Sequence, residues 1–192
     1  MTTTSKPTIS LEELLKLPPD EMLQYDETPS IEELRHRQQI CFEDVEIGME
    51  LPKYINKFGM MHFQRWGITM ENTDRLHYDY PYSMNRQKIP GVLFHGTWRM
   101  SILAGWLKNW VLPNGWSWKA RWQVRDMVVP DEVTIVWGKV VGKQQKEGFG
   151  LVDIEFGIKD QDGVEGCPGS ATVALPHRGG PPVPYPFVPP RD

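Results

Sequence analysis

A chain of 192 residues suits one domain with extensions. A net charge of −4, from 21 Lys and Arg against 25 Asp and Glu, offers no basic face to nucleic acid, and no apolar run reaches the roughly 18 residues that span a bilayer. Hydrophobic residues at 40%, with eight Trp and seven Phe, supply enough apolar surface for a folded core. The N-terminus shows neither a signal-peptide nor a transit-peptide pattern, so a soluble, cytoplasmic protein is expected. Cys41 and Cys167 lie far apart without metal-ligand spacing, which predicts two reduced thiols and no metal site.

Residues 1–41 form an N-terminal extension with two short helix signals, opening at Ser10 and Ser30 and each followed three residues later by Glu. Pro18-Pro19 ends the first. Their apolar positions fall on one side, so each helix needs a docking surface. From Phe42 the texture changes: residues 42–51 read as a lead-in turn with its glycine at Gly48, and residues 58–68 as a strand. The strongest helix runs from Thr97 to Val111 and is closed by Pro113-Asn114-Gly115. Its apolar arc is wide enough to predict burial on most sides, and it carries no carboxylate.

Four strand signals follow. Trp118, Ala120, Trp122 and Val124 alternate with polar residues, residues 132–141 are rich in β-branched side chains, and Val152–Ile158 and Ala171–Leu175 alternate again. Short polar turns at Pro130-Asp131, 146–148 and 160–163 predict an antiparallel meander. One strand, a long helix and four antiparallel strands make an α+β arrangement, a sheet wrapped around one central helix over residues 42–176. Residues 177–192 are a Pro-rich tail expected to pack along its own domain or to dangle, with an aromatic-lined groove of a partner as the alternative, and the tryptophans are expected to fill core volume.

The chemistry concentrates between Glu71 and Trp98, where two histidines and three acids precede a helix start. Titratable groups beside the free N–H groups of a helix N-terminus are well placed to stabilise a developing oxyanion. His77 and Gly96 are the leading candidates. Glu71, Asn72 and Asp74 surround His77 in sequence, Asp79 is read as ordering the loop, and His95 precedes the helix as a cap or substrate contact. Ser83, Arg86 and Trp98 complete the candidate substrate-binding set.

Four local segments resemble the MaoC-like dehydratases of the hotdog fold: FEDVEIGMELP at 42–52, Asn72-Thr-Asp74-Arg-Leu-His77 followed by Ser83, Phe94-His95-Gly96, and Val129-Pro-Asp-Glu-Val133. The second is similar to the (R)-specific enoyl-CoA hydratase motif. The resemblance implies a single hotdog domain that hydrates a 2-enoyl thioester or dehydrates a 3-hydroxyacyl thioester. It implies His77 as the catalytic histidine and Gly96 as the residue whose N–H polarises the thioester carbonyl. It implies no cofactor, an acyl-CoA or acyl-carrier thioester as substrate, and a homodimer or a hetero-oligomer with a related hotdog subunit.

The motif departs from the family at one position, because Asn72 stands where the family has its aspartate and Asp74 where it has asparagine. An amide holds a water but cannot take its proton. Three readings remain open: Asp74 or Glu71 supplies a carboxylate, the chain is a non-catalytic partner or acyl-thioester-binding subunit, or His77 acts alone with Asn72 placing the water. A hotdog thioesterase is the enzymatic rival, although one large group of those enzymes carries an acid on the central helix and Thr97–Leu112 has none.

Overall fold

The computed structural model describes residues 11–16, 32 and 36–190. Helix α1 (Leu11–Lys16) follows the first predicted helix signal and lies against strand β1 (Tyr54–Lys57). The second predicted helix, opening at Ser30, falls almost wholly outside the described residues. A 3-10 turn at Phe42–Asp44 and a left-handed Gly48 (φ +95°) form the lead-in, as expected.

The strand expected over 58–68 is instead β1 at 54–57 followed by helix α2 (Met60–Thr69). Aromatic residues favour a strand locally, but the apolar side chains do not alternate: Phe63 and Trp66 recur at helical spacing. The Gly59 N–H donates to Nδ1 of the buried His62, which ties down the first turn of α2.

Helix α3 (Gly96–Val111) is the predicted long helix, yet its burial is narrower than expected. Only the stripe Arg99, Leu103, Leu107 and Val111 is buried, at the four-residue spacing of one helix face. That stripe packs onto one face of a five-stranded antiparallel sheet made of β1, β2 (Trp116–Trp122), β3 (Val133–Gln145), β4 (Phe149–Lys159) and β5 (Gly169–Pro176). Val136 and Val140 of β3, Val152, Ile154, Phe156 and Ile158 of β4, and Val173 and Leu175 of β5 fill the core between them. Trp106 crosses β3 at Gly138, where a Cβ would approach Trp106 Cη2 to 2.5 Å, so this close crossing requires glycine. None of the eight tryptophans is fully buried; all but the exposed Trp116 are partly buried at the margins of the core, because one helix on one curved sheet leaves little fully enclosed volume for a ring of that size.

The strand order is β1-β3-β4-β5-β2. Strands β3, β4 and β5 form the expected meander through turns at Gly148 (φ +81°) and Gly163 (φ +80°). The departure is β2, which pairs with β5 rather than with β3. The segment between Trp122 and Val133 is too long for a tight hairpin, and it crosses the sheet to place β2 on the opposite edge. Strand β2 also ends at Trp122 after a register shift between Ser117 and Lys119, so Val124 lies outside it and is exposed.

The Pro-rich tail packs on its own domain. His177 Nδ1 meets Glu43 at 2.7 Å, Val183 is buried beside Phe149, Leu151 and Ala174, and Phe187 stacks among Trp116, Trp118 and Phe149. Its backbone joins the domain where the Val183 N–H donates to the Asn114 carbonyl at 2.9 Å. Both cysteines are free thiols, and burial pushes that of Cys167 up to about 11.

Candidate active site

Three segments converge to make the site: the C-terminal half of α2, the loop from Glu71 to Tyr78, and the residues that open α3. Phe63 of α2 packs on Phe94 and Trp98, while Trp66 stacks on Trp98 at 5.9 Å and donates its indole N–H to Thr97 Oγ1 at 3.1 Å. These contacts hold α2 across the start of α3. The resulting cleft has a volume of about 390 Å³ and is bordered by Phe63, Gln64, Gly67, Ile68, Glu71, Asn72, Thr73, His77, Tyr78 and His95.

His77 ends a 3-10 turn, Arg75–His77, whose N-cap is Asp74. The Asp74 carboxylate accepts the Leu76 N–H at 3.1 Å, and the Asn72 side-chain oxygen accepts the Asp74 N–H at 3.0 Å. Both side chains of the Asn-x-Asp segment therefore shape the backbone that presents His77. The histidine is then fixed by a second attachment: the Leu93 N–H donates to the Leu76 carbonyl at 2.8 Å, and His77 Nδ1 lies 2.8 Å from the Leu93 carbonyl. A carbonyl only accepts, so Nδ1 carries the proton and Nε2 keeps its lone pair.

His95 lies directly against this ring. The two imidazoles stack with centroids 3.8 Å apart and planes 22° from parallel. His95 is 1% exposed, neither of its ring nitrogens has a hydrogen-bond partner among the described residues, and burial, reinforced by the neighbouring His77, lowers its pKa to about 4. The sign of the resulting pH dependence follows from that depression. Between about pH 6.5 and 4 the unfolded chain takes up a proton at this position while the folded chain does not. Stability from this group is thus complete above about 6.5 and falls as the pH drops toward 4, by on the order of 3 kcal/mol. Urea unfolding at pH 7 and pH 4.5 measures the effect: wild type is expected to lose more stability than His95→Phe, and equal losses would contradict it.

The remaining predicted residues separate into those at the cleft and those away from it. Glu71, in a left-handed conformation (φ +50°) where α2 ends, borders the cleft, whereas Asp74 is exposed and occupied with its cap. Gly96 is the first residue of α3 and is exposed beside His95. A Cβ there would meet no atom within 4 Å, so packing inside the subunit does not explain the glycine. The first N–H groups of the helix have no intrahelical acceptor, and those of Trp98 and Arg99 turn back to the His95 carbonyl.

Ser83 is fully buried behind the loop, with its hydroxyl donating to the Leu76 carbonyl at 3.3 Å, and it does not border the cleft. Asp79 orders the loop as expected, accepting both the Arg75 guanidinium and the Tyr82 N–H, which hold its carboxyl below the usual range. Arg86 is exposed and does not border the cleft, and Trp98 is partly buried in the aromatic cluster with Phe63 and Phe94. Sequence reading missed Phe63, Gln64, Gly67 and Ile68 as cleft residues because it placed a strand where α2 lies, and it passed over Thr73 and Tyr78 of the loop. The helical spacing of Phe63 and Gly67, four residues apart, was the signal that locates two of them on one face. Among the described residues no group of three or more His, Cys, Asp or Glu has a metal-binding arrangement, and no helix is long and apolar enough to cross a membrane.

No protein-family model matches the chain, and no curated protein matches it in sequence. Solved structures do match in shape. The R-hydratase PhaJ1 from Pseudomonas aeruginosa, in its unliganded form, aligns with a TM-score of 0.64 at 15% identity over 80% of this chain and 96% of that one. The MaoC-like dehydratase from Rhodospirillum rubrum aligns at 0.62 and 14% identity over 72% and 98%. The ChsH1–ChsH2 complex from Mycobacterium tuberculosis aligns at 0.59 and 10% identity over 68% and 98%. The chain carries the hotdog fold that the MaoC-like dehydratases and (R)-hydratases share.

Proposed function

We propose that the protein is an acyl-thioester hydro-lyase, adding water to a 2-enoyl thioester or removing it from the 3-hydroxyacyl thioester. The observation that carries this reading is His77: its Nδ1 is tied to the Leu93 carbonyl, its Nε2 lone pair is free, and it stands in a cleft bordered by Phe63 and Ile68. Hydration needs a base for the water and a donor for the charge that develops on the thioester oxygen. His77 Nε2 supplies the first, and the N–H of Gly96, which opens α3 next to His95, supplies the second. Structures of the same fold that are described as an R-hydratase and a MaoC-like dehydratase support the reaction class. Coenzyme A or an acyl carrier protein bears the thioester, and no separate cofactor enters the chemistry.

Where a carboxylate takes part at all, Glu71 is the candidate rather than Asp74, since it borders the cleft while Asp74 caps the turn. The test is the loss of enoyl absorbance when purified protein meets trans-2-enoyl-CoA of several chain lengths. Glu71→Gln is expected to lower kcat at least about 10-fold if the carboxylate takes part. An unchanged rate in both Glu71→Gln and Asp74→Ala would eliminate the substitute-carboxylate idea. Asp74→Asn, which keeps a capping oxygen, is expected to retain most activity.

A partner-subunit reading is favoured by a separate observation. Among the described residues, strand β2 has β5 on one side and an open edge on the other, with Trp116 38% exposed upon it. An unpaired edge of this length is suited to pairing with a second sheet, either another copy or a related hotdog chain. The two-chain ChsH1–ChsH2 assembly of the same fold supports such pairing. Inactivity of the purified chain, with activity restored by a co-purified hotdog subunit, would favour this reading over the self-sufficient enzyme.

A further inference from the structure

His95 has no assigned task in the reaction outlined above, yet its setting is unlike that of a core residue. It borders the cleft, it is 1% exposed, and both ring nitrogens lack partners. A buried polar atom left unpaired is destabilising, and an apolar ring would pack in the same volume without that cost. Its Nε2–Cε1 edge faces α2 at Gly67, itself a cleft residue. A Cβ at Gly67 would lie 3.5 Å from His95 Nε2 and 3.7 Å from the Asn72 carbonyl, so alanine fits sterically. The helix nevertheless carries glycine, the poorest helix former apart from proline, at the position that faces this nitrogen. Asn72, meanwhile, has its side-chain oxygen engaged by the Asp74 N–H.

We infer that His95 is a second substrate-contacting histidine whose Nε2 hydrogen-bonds the reacting water, so that the polar end of the cleft is a histidine pair rather than a histidine–carboxylate pair. The inference rests on the hydro-lyase reading and assigns the group that Asn72 does not supply. In hydration, one water proton passes to His77 Nε2 as the water oxygen bonds to the β-carbon. The π pair shifts toward the α-carbon and the thioester oxygen, and the proton then returns from His77 to the α-carbon. The second O–H proton stays on the oxygen throughout, and His95 ends the cycle as it began. Burial keeps His95 neutral at physiological pH, so its stacked ring adds no charge to oppose the imidazolium that forms transiently on His77.

The experiment compares wild type, His95→Phe and Gly67→Ala on crotonyl-CoA, together with binding of the unreactive butyryl-CoA. His95→Phe keeps a ring against His77 but removes both nitrogens. It is expected to lower kcat by about 30-fold or more while KM stays within about 3-fold, with an equal or higher Tm. Gly67→Ala retains both histidines and covers the Nε2 edge with a methyl group. It is expected to lower kcat about 10-fold without lowering Tm, and it decides the question if His95→Phe does not fold. A kcat within about 2-fold of wild type in a folded His95→Phe, or in Gly67→Ala where His95→Phe does not fold, overturns the inference. If wild type does not turn over crotonyl-CoA, the hydro-lyase reading fails for that substrate, and the ring ¹⁵N signals of His95 on adding butyryl-CoA decide the inference separately. A shift of those signals supports the contact, and unshifted signals overturn it.

Discussion

His77→Ala is expected to fold normally and to lose hydratase activity by on the order of 10³-fold, the range in which a positioned general base acts. The structural reason is specific to one nitrogen. With Nδ1 donating to the Leu93 carbonyl at 2.8 Å, the ring is oriented and Nε2 is left as the lone pair available to a water. His77 is only half-buried and its main chain is held independently, by Leu93 N–H to the Leu76 carbonyl and by the Asp74 cap. Removing its side chain therefore removes the base without dismantling the loop, and circular dichroism should be unchanged. His77→Asn sharpens the result. Its amide nitrogen occupies the Nδ1 position and can still donate to the Leu93 carbonyl but cannot accept a proton near neutral pH, so it too should be inactive. Full activity in His77→Ala would eliminate the mechanism.

The largest expected effect on stability lies at Asp126. Arg99 projects from the buried stripe of α3 and is 2% exposed; its guanidinium pairs with the Asp126 carboxylate, donates to the Asp126 carbonyl at 3.2 Å and stands 5.7 Å from the centre of the Phe94 ring. Asp126→Ala leaves that charge buried with little besides a carbonyl to offset its lost hydration. The expected loss is about 3 kcal/mol, at the lower end for a broken buried pair because Asp126 is a third exposed and water can reach the gap. Arg99→Met combined with Asp126→Ala should recover much of it, since an apolar side chain of similar length carries no charge to desolvate. Urea unfolding measures both. If Asp126→Ala unfolds within about 0.5 kcal/mol of wild type, the pair does not anchor the head of α3 as argued.

Arg99 also shows what sequence reading overlooks. On a helix rich in Trp, Leu and Ile it reads as an exposed charge, yet it occupies the same buried face as Leu103 and Leu107. Its partner lies 27 residues away in the crossing segment between β2 and β3, and no periodicity along the chain links the two. The same limit explains α2. Residues 58–68 are aromatic enough to suggest a strand, and the choice of helix is settled by Phe63 and Trp66 packing onto Phe94 and Trp98, contacts made across more than 30 residues.

Local rules were sufficient wherever the determining interaction is itself local. Period-two alternation located β4 and β5, glycine at left-handed positions marked the turns at 148 and 163, and the apolar run closed by Pro113-Asn114-Gly115 bounded α3. The Asn72–His77 segment singled out the loop that carries His77, because its Asn and Asp oxygens bond their own backbone within three residues. Tertiary structure alone decided that β2 joins β5, that Glu71 borders the cleft, and that His95 stacks on His77 with its nitrogens unpaired among the described residues. Each of these depends on which distant surfaces bury one another, and burial is a property of the assembled chain rather than of any window along it.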